Sequence, residues 1–222
     1  MEIKKFLVAS SLLLTSFAIP NTAIAQNRGT PGKFDFYVLT LSWSPDYCVT
    51  NGNRDRQQCK SGKKLGFVLH GLWPQYQRGY PSNCSTQKLP PQLKRQFSGL
   101  FPSDKLYDHE WEKHGTCSGM TPAQYLTLSK QLKDSVVIPT AYNRPPKPFR
   151  TTIKDLKSAF VSANNDFNAD GIVPYCSGSG RFLKEVFFCY SKDGKAGVCS
   201  AEILKRSQTS CGQPNFLVRN VR

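Results

Sequence analysis

The three histidines of this 222-residue chain fall in two short, aromatic-rich segments. His70 lies in the string Leu69–Gln75, which reads Leu-His-Gly-Leu-Trp-Pro-Gln, and the other two lie in His109–Cys117, which reads His-Glu-Trp-Glu-Lys-His-Gly-Thr-Cys. Imidazole titrates near neutral pH, so histidine is the commonest proton donor and acceptor in enzymes. A lone histidine is more often structural. The clustering of all three therefore indicates general acid–base chemistry.

The spacing of these histidines disfavours a zinc-protease site. Such a site needs two histidines four residues apart on one helical face, whereas His109 and His114 are five apart, which places them about 140° apart around a helix. The eight cysteines include no Cys-x-x-Cys pair. We therefore predict neither a metal site nor a cofactor, and a secreted metalloenzyme is the disfavoured alternative.

Two pairs in the second segment have the four-residue spacing at which helical side chains meet. Glu110 with His114 is predicted to form a proton-transfer face, because a nearby carboxylate orients imidazole and stabilises its charged form, while Lys113 acts in the opposite sense. His109 with Lys113 could hold a phosphate. The set suits metal-free phosphoryl transfer from a ribose 2′-hydroxyl, in which two histidines move protons and each contributes about 10²–10⁴-fold.

Composition favours a polyanionic partner. The chain has 30 Lys and Arg against 15 Asp and Glu, a formal charge of +15. A surplus of this kind suits nucleic acid, anionic lipid or acidic polysaccharide. The basic residues are dispersed, without a polybasic tail or a basic amphipathic helix, which disfavours binding to a membrane.

The N-terminal residues are typical of an export signal. Lys4 and Lys5 precede an apolar run, Phe6 to Ile19, and Ala23-Ile24-Ala25 resembles a cleavage site, so residues 1–25 are predicted to be a signal peptide. The apolar run is too short to favour the alternative, a retained membrane anchor. Residues 26–222 would form a single domain with four disulfides in a periplasmic or extracellular protein.

Hydrophobic patterning predicts an α+β fold with helices packed against a central, mostly antiparallel sheet. Phe34 to Trp43 is apolar on both alternating faces, as a central strand would be. His70 is expected at the end of a strand, where Gly71 turns the chain away. Trp111 is expected to anchor its helix in the core. Strands are predicted at 34–43, 65–70, 172–176, 181–190 and 216–218, and helices at 102–114, from Thr121, and from Thr151 or Thr152.

The two histidine segments resemble the active-site segments of the ribonuclease T2 family of secreted endoribonucleases, in their order and separation as well as their residues. Phe36 to Trp43 also resembles the first core strand of that family. The resemblance implies cleavage through a 2′,3′-cyclic phosphate without metal. It implies that His114 is the base and His70 the acid, that Glu110 and Lys113 stabilise the pentacovalent state, and that His109 binds phosphate.

The resemblance also suggests substrate-binding residues and disulfides. Trp73 resembles a base-stacking aromatic, Tyr80 could be a second stacking face, and Gln75 stands where some members carry a purine-selecting carboxylate, which leaves base preference open. A local disulfide between Cys48 and Cys59 is also plausible from the polar segment that these cysteines enclose. The pairs implied by the family pattern are Cys48–Cys59, Cys84–Cys117, Cys176–Cys211 and Cys189–Cys199.

We therefore expect a monomer that cleaves single-stranded RNA with low base specificity. The alternative from another class is a basic exported RNA-binding or cytotoxic protein that acts without catalysis. The set of His70, Glu110, Lys113 and His114 discriminates between the two, because a protein that only binds RNA has no use for paired proton-transfer groups.

Overall fold

The computed structural model of the protein describes Met1 and residues 29–221, and the signal peptide predicted at residues 1–25 lies outside this range except for Met1. The described part contains one six-stranded sheet, with strand order β2-β1-β5-β6-β3 and with β4 paired to β5. All pairings are antiparallel except that of β5 with β6. The strands are β1 (Phe36–Trp43), β2 (Phe67–Gln75), β3 (Phe149–Thr151), β4 (Ile172–Ser177), β5 (Phe182–Tyr190) and β6 (Phe216–Val218).

Helices cover both faces of the sheet. Side chains of α4, α5 and α6 join the main core on one face, and Ile203 of α7 joins a smaller core on the other. This arrangement confirms the predicted α+β fold. The α-helices of the described residues are α1 (Ser44–Asn51), α2 (Arg56–Cys59), α3 (Pro91–Gln96), α4 (Lys105–Lys113), α5 (Pro122–Ser135), α6 (Ile153–Ala163) and α7 (Ala201–Ser210).

Local sequence explains where two of the predicted helices begin. Thr121 accepts from the backbone N–H of Gln124, whose side chain accepts from the N–H of Thr121 in return, so α5 starts with the expected capping box. Thr152 caps α6 by accepting from the N–H of Asp155. None of these helices is long and apolar enough to cross a membrane, within the residues described.

The sheet is built around β1, which pairs with β2 on one side and β5 on the other. All eight of its residues are buried. Leu39 and Leu41 point into the main core, and Phe36 and Val38 point into the smaller one. The prediction of a strand covered on both faces is therefore confirmed for β1.

Strand β2 is longer than the sequence indicated. It was expected to end at His70, but it continues through Gly71 to Gln75. Thr40 pairs with Gly71 and Leu41 pairs with Leu69, so His70 is the extra residue of a β-bulge. The glycine does not turn the chain away. The bulge instead resets the alternation of side chains, because Leu69 and Leu72 both enter the main core although they are three residues apart.

Four disulfides staple the described residues, and they join the pairs that the family resemblance implies: Cys48–Cys59, Cys84–Cys117, Cys176–Cys211 and Cys189–Cys199. Cys84–Cys117 connects the long loop after β2 to a 3-10 turn, Gly115–Cys117, that follows α4. The polar segment between Cys48 and Cys59 forms parts of α1 and α2 rather than the expected loop.

Candidate active site

A buried carboxylate on β5 holds the bulged histidine of β2. Oε1 of Glu185 lies 2.7 Å from Nδ1 of His70, and Ser42 on the intervening strand donates its hydroxyl to the same oxygen at 3.0 Å. Glu185 is 6% exposed, and Lys184 lies 3.6 Å from its other oxygen. The hydrogen bond orients the imidazole and directs Nε2 toward α4, where it lies 3.8 Å from the Glu110 carboxylate.

Glu110 projects from α4 into the centre of this group. Its Oε2 accepts the indole N–H of Trp73 at 2.7 Å, while Oε1 lies 3.8 Å from Nε2 of His70 and 4.0 Å from Nε2 of His109. Trp111, the next residue, packs into the core and donates its indole N–H to the Gln87 carbonyl. The helix is thus anchored by Trp111, as predicted, while Glu110 reaches the reactive side chains.

Gly71 makes room for the contact between Glu110 and Trp73. A Cβ atom at this position would lie 1.9 Å from Oε2 of Glu110 and 2.3 Å from Nε1 of Trp73. Any side chain would therefore displace the hydrogen bond that joins α4 to β2. The glycine next to His70 is explained by this close approach and not by a turn.

His114 contacts the same indole as His70, that of Trp73. Its ring stacks on the Trp73 indole, with centroids 5.1 Å apart and planes inclined by 27°, whereas the His70 ring meets the same indole edge-on at 5.0 Å. His114 is 4% exposed, and its Nδ1 has no hydrogen-bond partner among the described residues. Both imidazoles thus pack on one indole.

The predicted pairing of Glu110 with His114 is wrong. The close contacts of Glu110 are to Trp73, His70 and His109. The backbone N–H of His114 still donates to the Glu110 carbonyl at 3.0 Å, but φ at His114, the C-cap of α4, is −119°, and its ring stacks on Trp73 instead of meeting the Glu110 carboxylate. The carboxylate that orients a histidine in this site is Glu185, and the histidine that it orients is His70.

His109 and Lys113 occupy the more open side of the group. The His109 side chain is 54% exposed, and Lys113 lies 6.0 Å from the centroid of the Tyr80 ring. That ring lies in turn 5.9 Å from the ring of His114, and Tyr80 is 46% exposed. A phosphate at this side would meet a cation and two imidazoles within one small region.

Comparison with known proteins agrees with this geometry. The model of the ribonuclease T2 family matches residues 34–205, which include every residue of the site described above. The chain belongs to the ribonuclease T2 family. A ribonuclease from Aeromonas hydrophila is 41% identical over 233 residues, covering 99% of this chain and all of that protein. Ribonuclease I of Escherichia coli K12 is 24% identical and covers 81% of this chain and 82% of its own length.

Solved structures show the same fold. Ribonuclease MC1 from bitter gourd seeds superimposes with a TM-score of 0.57 at 24% identity, covering 73% of this chain and 92% of that chain. A variant of ribonuclease MC1 in complex with 5′-UMP gives a TM-score of 0.60 at 23% identity, with 73% and 91% covered. The family match and the Aeromonas relative make the chain a T2 ribonuclease, an enzyme that acts on RNA.

The pKa values of His70 and His114 in the ribonuclease are shifted in opposite directions. Burial alone would lower the pKa of His70, but the hydrogen bond and negative charge of Glu185 outweigh burial and raise that pKa above its ordinary value of 6.5. Burial lowers the pKa of His114 well below the same value, and the charges of Lys113 and His109 lower it further. The charged form is therefore favoured at His70 and the neutral form at His114.

Three other groups of the ribonuclease have pKa values displaced from the ordinary ones. Burial raises the pKa of Glu110 to about 7, against the lowering effects of His70 and Trp73. Burial and the charge of Lys113 lower the pKa of His109. Burial would raise the pKa of Glu185, but its hydrogen bond to His70 holds that pKa below the usual range. Perturbed values of this kind are typical of active sites.

The three residues expected to contact a base differ in how much of their side chains is accessible to a ligand. Tyr80 presents an open ring at the edge of the site. Trp73 is half-buried, and it uses one face on His114 and its N–H on Glu110. Gln75 is 8% exposed, and its amide donates to the Pro74 carbonyl at 3.1 Å, so it offers a base little surface.

Glu185 is the functional side chain that the sequence analysis missed. The available signal was weak: a charged pair, Lys184 and Glu185, interrupts an otherwise apolar strand. Within the described residues, His, Cys, Asp and Glu side chains form no group of three or more suited to hold a metal ion.

Proposed function

We propose that this ribonuclease is an exported, metal-independent endoribonuclease that cleaves single-stranded RNA with little base preference through a 2′,3′-cyclic phosphate. One observation carries the proposal. Two imidazoles contact the same indole ring, and one is stabilised in its charged form by Glu185 while the other is kept neutral by burial and by Lys113. Such a pair can donate and accept protons in the same step.

In the proposed reaction, neutral His114 accepts the proton of the ribose 2′-hydroxyl, and the resulting oxygen attacks the adjacent phosphorus. Charged His70 gives its Nε2 proton to the 5′-oxygen as the bond between phosphorus and that oxygen breaks. The products are a 2′,3′-cyclic phosphate and a free 5′-hydroxyl. The proton count balances, and the enzyme is left with His114 charged and His70 neutral, ready for the reverse exchange with water.

The remaining polar groups would stabilise the charge that accumulates on the pentacovalent phosphorus. Lys113 supplies a fixed positive charge, and exposed His109 supplies a phosphate contact beside it. Glu110, with a pKa of about 7, can also donate a hydrogen bond from its protonated form. Low base preference is supported by Tyr80, because stacking on an aromatic ring tolerates every base, and by the closed environment of Gln75.

Export is supported by the four disulfides, which persist in oxidising compartments. It is also supported by the signal-peptide pattern of residues 1–25. Periplasm and extracellular medium are both compatible with these features. We propose that the mature chain, residues 26–222, acts as a monomer, because every residue assigned to the site comes from one chain.

The direct test incubates the purified protein with dinucleoside monophosphates in excess EDTA and follows formation of the cyclic phosphate. We expect all combinations of bases to be cleaved. His70→Ala and His114→Ala should each lower the rate by about 10²–10⁴-fold while near-UV circular dichroism is unchanged. Full activity in either variant would refute the assignment. A biological effect that persists in the double variant would favour the alternative of a basic RNA-binding protein.

A further inference from the structure

Two adjoining cavities lead from the catalytic histidine to a lysine-rich loop. The first, of about 470 Å³, is lined by His70 and Glu185. The second, of about 480 Å³, is lined by Lys60, Lys63 and Lys64 and their neighbours Ser61 and Leu65. Both are lined by Val49, Gln58 and Arg219, so the two cavities adjoin, and together they are called the depression. The catalytic chemistry uses only the end beside His70.

The lysine-rich loop carries positive charge that the fold does not neutralise. Lys60, Lys63 and Lys64 are exposed and form no salt bridge with any residue in the described range. The two acidic side chains of this region are buried and already paired, Asp46 with Arg219 at 2.9 Å and Asp55 with Lys105 at 2.9 Å. The depression therefore becomes more positive away from the histidines.

The start of the loop is held in place by contacts to α1 and to the residue before α4. Cys59, at the end of α2, is bonded to Cys48 in α1. Gln58 donates to the Ser44 hydroxyl at 2.8 Å, and Gln57 donates to the Asp104 carboxylate at 2.7 Å, next to the start of α4. The lysines are thus fixed relative to the active site, which lowers the entropy lost when they bind a ligand.

We propose that Lys60, Lys63 and Lys64 bind backbone phosphates of single-stranded RNA that flanks the nucleotides being cleaved. The inference rests on the proposed function, which places the scissile phosphate beside His70. A flexible polyanion can follow a concave, positively charged depression, whereas a flat anionic membrane cannot enter it. The ribonuclease would accordingly act faster on long single strands than on dinucleotides, and this advantage would disappear with added salt.

The test uses the triple variant Lys60→Gln, Lys63→Gln, Lys64→Gln and two substrates, a dinucleoside monophosphate and a long unstructured oligoribonucleotide. We expect kcat/KM for the long substrate to fall about tenfold at low salt. The slope of log(kcat/KM) against log salt concentration should become shallower by about 2, which is the contribution of three phosphate contacts on a single strand. Cleavage of the dinucleotide should stay within about twofold, because it reaches no further than the catalytic end.

The matched control is Lys130→Gln, Lys154→Gln, Lys195→Gln, which removes the same charge from exposed lysines that line neither cavity. An equal loss on the long substrate in both triple variants would overturn the proposal, because net charge alone would explain it. An unchanged rate would also overturn it, even if the triple variant lost affinity for anionic vesicles. Thermal unfolding of both variants verifies folding. If the wild type formed no cyclic product from dinucleotides, the proposed function would fail instead.

Discussion

Nδ1 of His70 lies 2.7 Å from Oε1 of Glu185, although the two residues are 115 positions apart in the chain and their strands lie on opposite sides of β1. The charge of Glu185 favours the protonated form of His70, whereas burial favours the neutral form of His114. The pH dependence of the reaction should therefore be bounded by His114 on the acid side and by His70 on the alkaline side.

Glu185→Gln should move only the alkaline limit. A general acid is active below its own pKa, and Glu185 raises the pKa of His70. The amide removes that effect, so kcat/KM should begin to fall at lower pH than in the wild type, losing part of the roughly 10²–10⁴-fold contribution of a general acid. Glu112→Gln, on the exposed side of α4, is the control. A profile lowered equally at every pH would contradict the prediction.

Glu110→Gln should make the free energy of unfolding less dependent on pH between about 4.5 and 7. The folded pKa of Glu110 is about 7, above the ordinary 4.5, so its burial costs nothing below about pH 4.5, where the carboxyl is protonated in both states. The cost grows as pH rises and is complete above about 7. The folded and ordinary pKa values of Glu110 differ by about 2.5, which corresponds to a loss of about 3 kcal/mol in the free energy of unfolding. Urea unfolding near pH 4.5 and near pH 8 measures it. If the unfolding free energies of the variant and the wild type depended equally on pH, burial of Glu110 would not be the cause of that dependence.

Gly71→Ala should damage both stability and activity. The new methyl group would lie 1.9 Å from Oε2 of Glu110, so the bond from Trp73 must break and the strand or α4 must shift. We expect a loss of about 1–3 kcal/mol in unfolding free energy, as for other overpacked sites, together with a large loss in kcat/KM. Gly66→Ala, where the nearest atom is 3.4 Å away on Trp43, is the control in the same segment. Similar losses in both variants would mean that the close approach of Gly71 to Glu110 and Trp73 is not their cause.

Removal of the Cys84–Cys117 disulfide by paired serine substitutions should lower stability by about 2–5 kcal/mol. It should also slow dinucleotide cleavage, because the bond ties the loop after β2 to the turn that follows His114. Removal of Cys48–Cys59, whose partners are 11 rather than 33 residues apart, should cost about 1 kcal/mol less by loop entropy. It should leave dinucleotide cleavage intact. The opposite order of effects on activity would exclude this role for Cys84–Cys117.

Local patterns predicted the elements whose signals are local. The apolar run of β1, the capping residues Thr121 and Thr152, and the extent of β5 all appear in the structure near the expected positions. The fold class followed from their order. Helices α1 and α2 were missed because they are short and polar, and long-range contacts such as that of Gln58 with Ser44 hold them.

The parts of the site that were not predicted depend on contacts between distant residues. Gly71 resembles a strand terminator. A glycine is required there because the carboxylate of Glu110, 39 positions later, occupies the space that a side chain would fill. The pairing of Glu110 with His114 assumed a regular helix, and α4 ends one residue too early. Nothing near Glu185 in the sequence indicates that its partner is a histidine on another strand.

The complete burial of β1 also determines which opening motions of the domain can separate His70 from Glu185. Amide protons of this strand are bonded to neighbours on both sides, so they should exchange with deuterium only when the whole domain opens. His70 and Glu185 are attached to the two strands that flank it, one on each side. Local fluctuations that open the long loops to solvent would therefore leave the proton donor assembled, and the donor would be lost only in global unfolding.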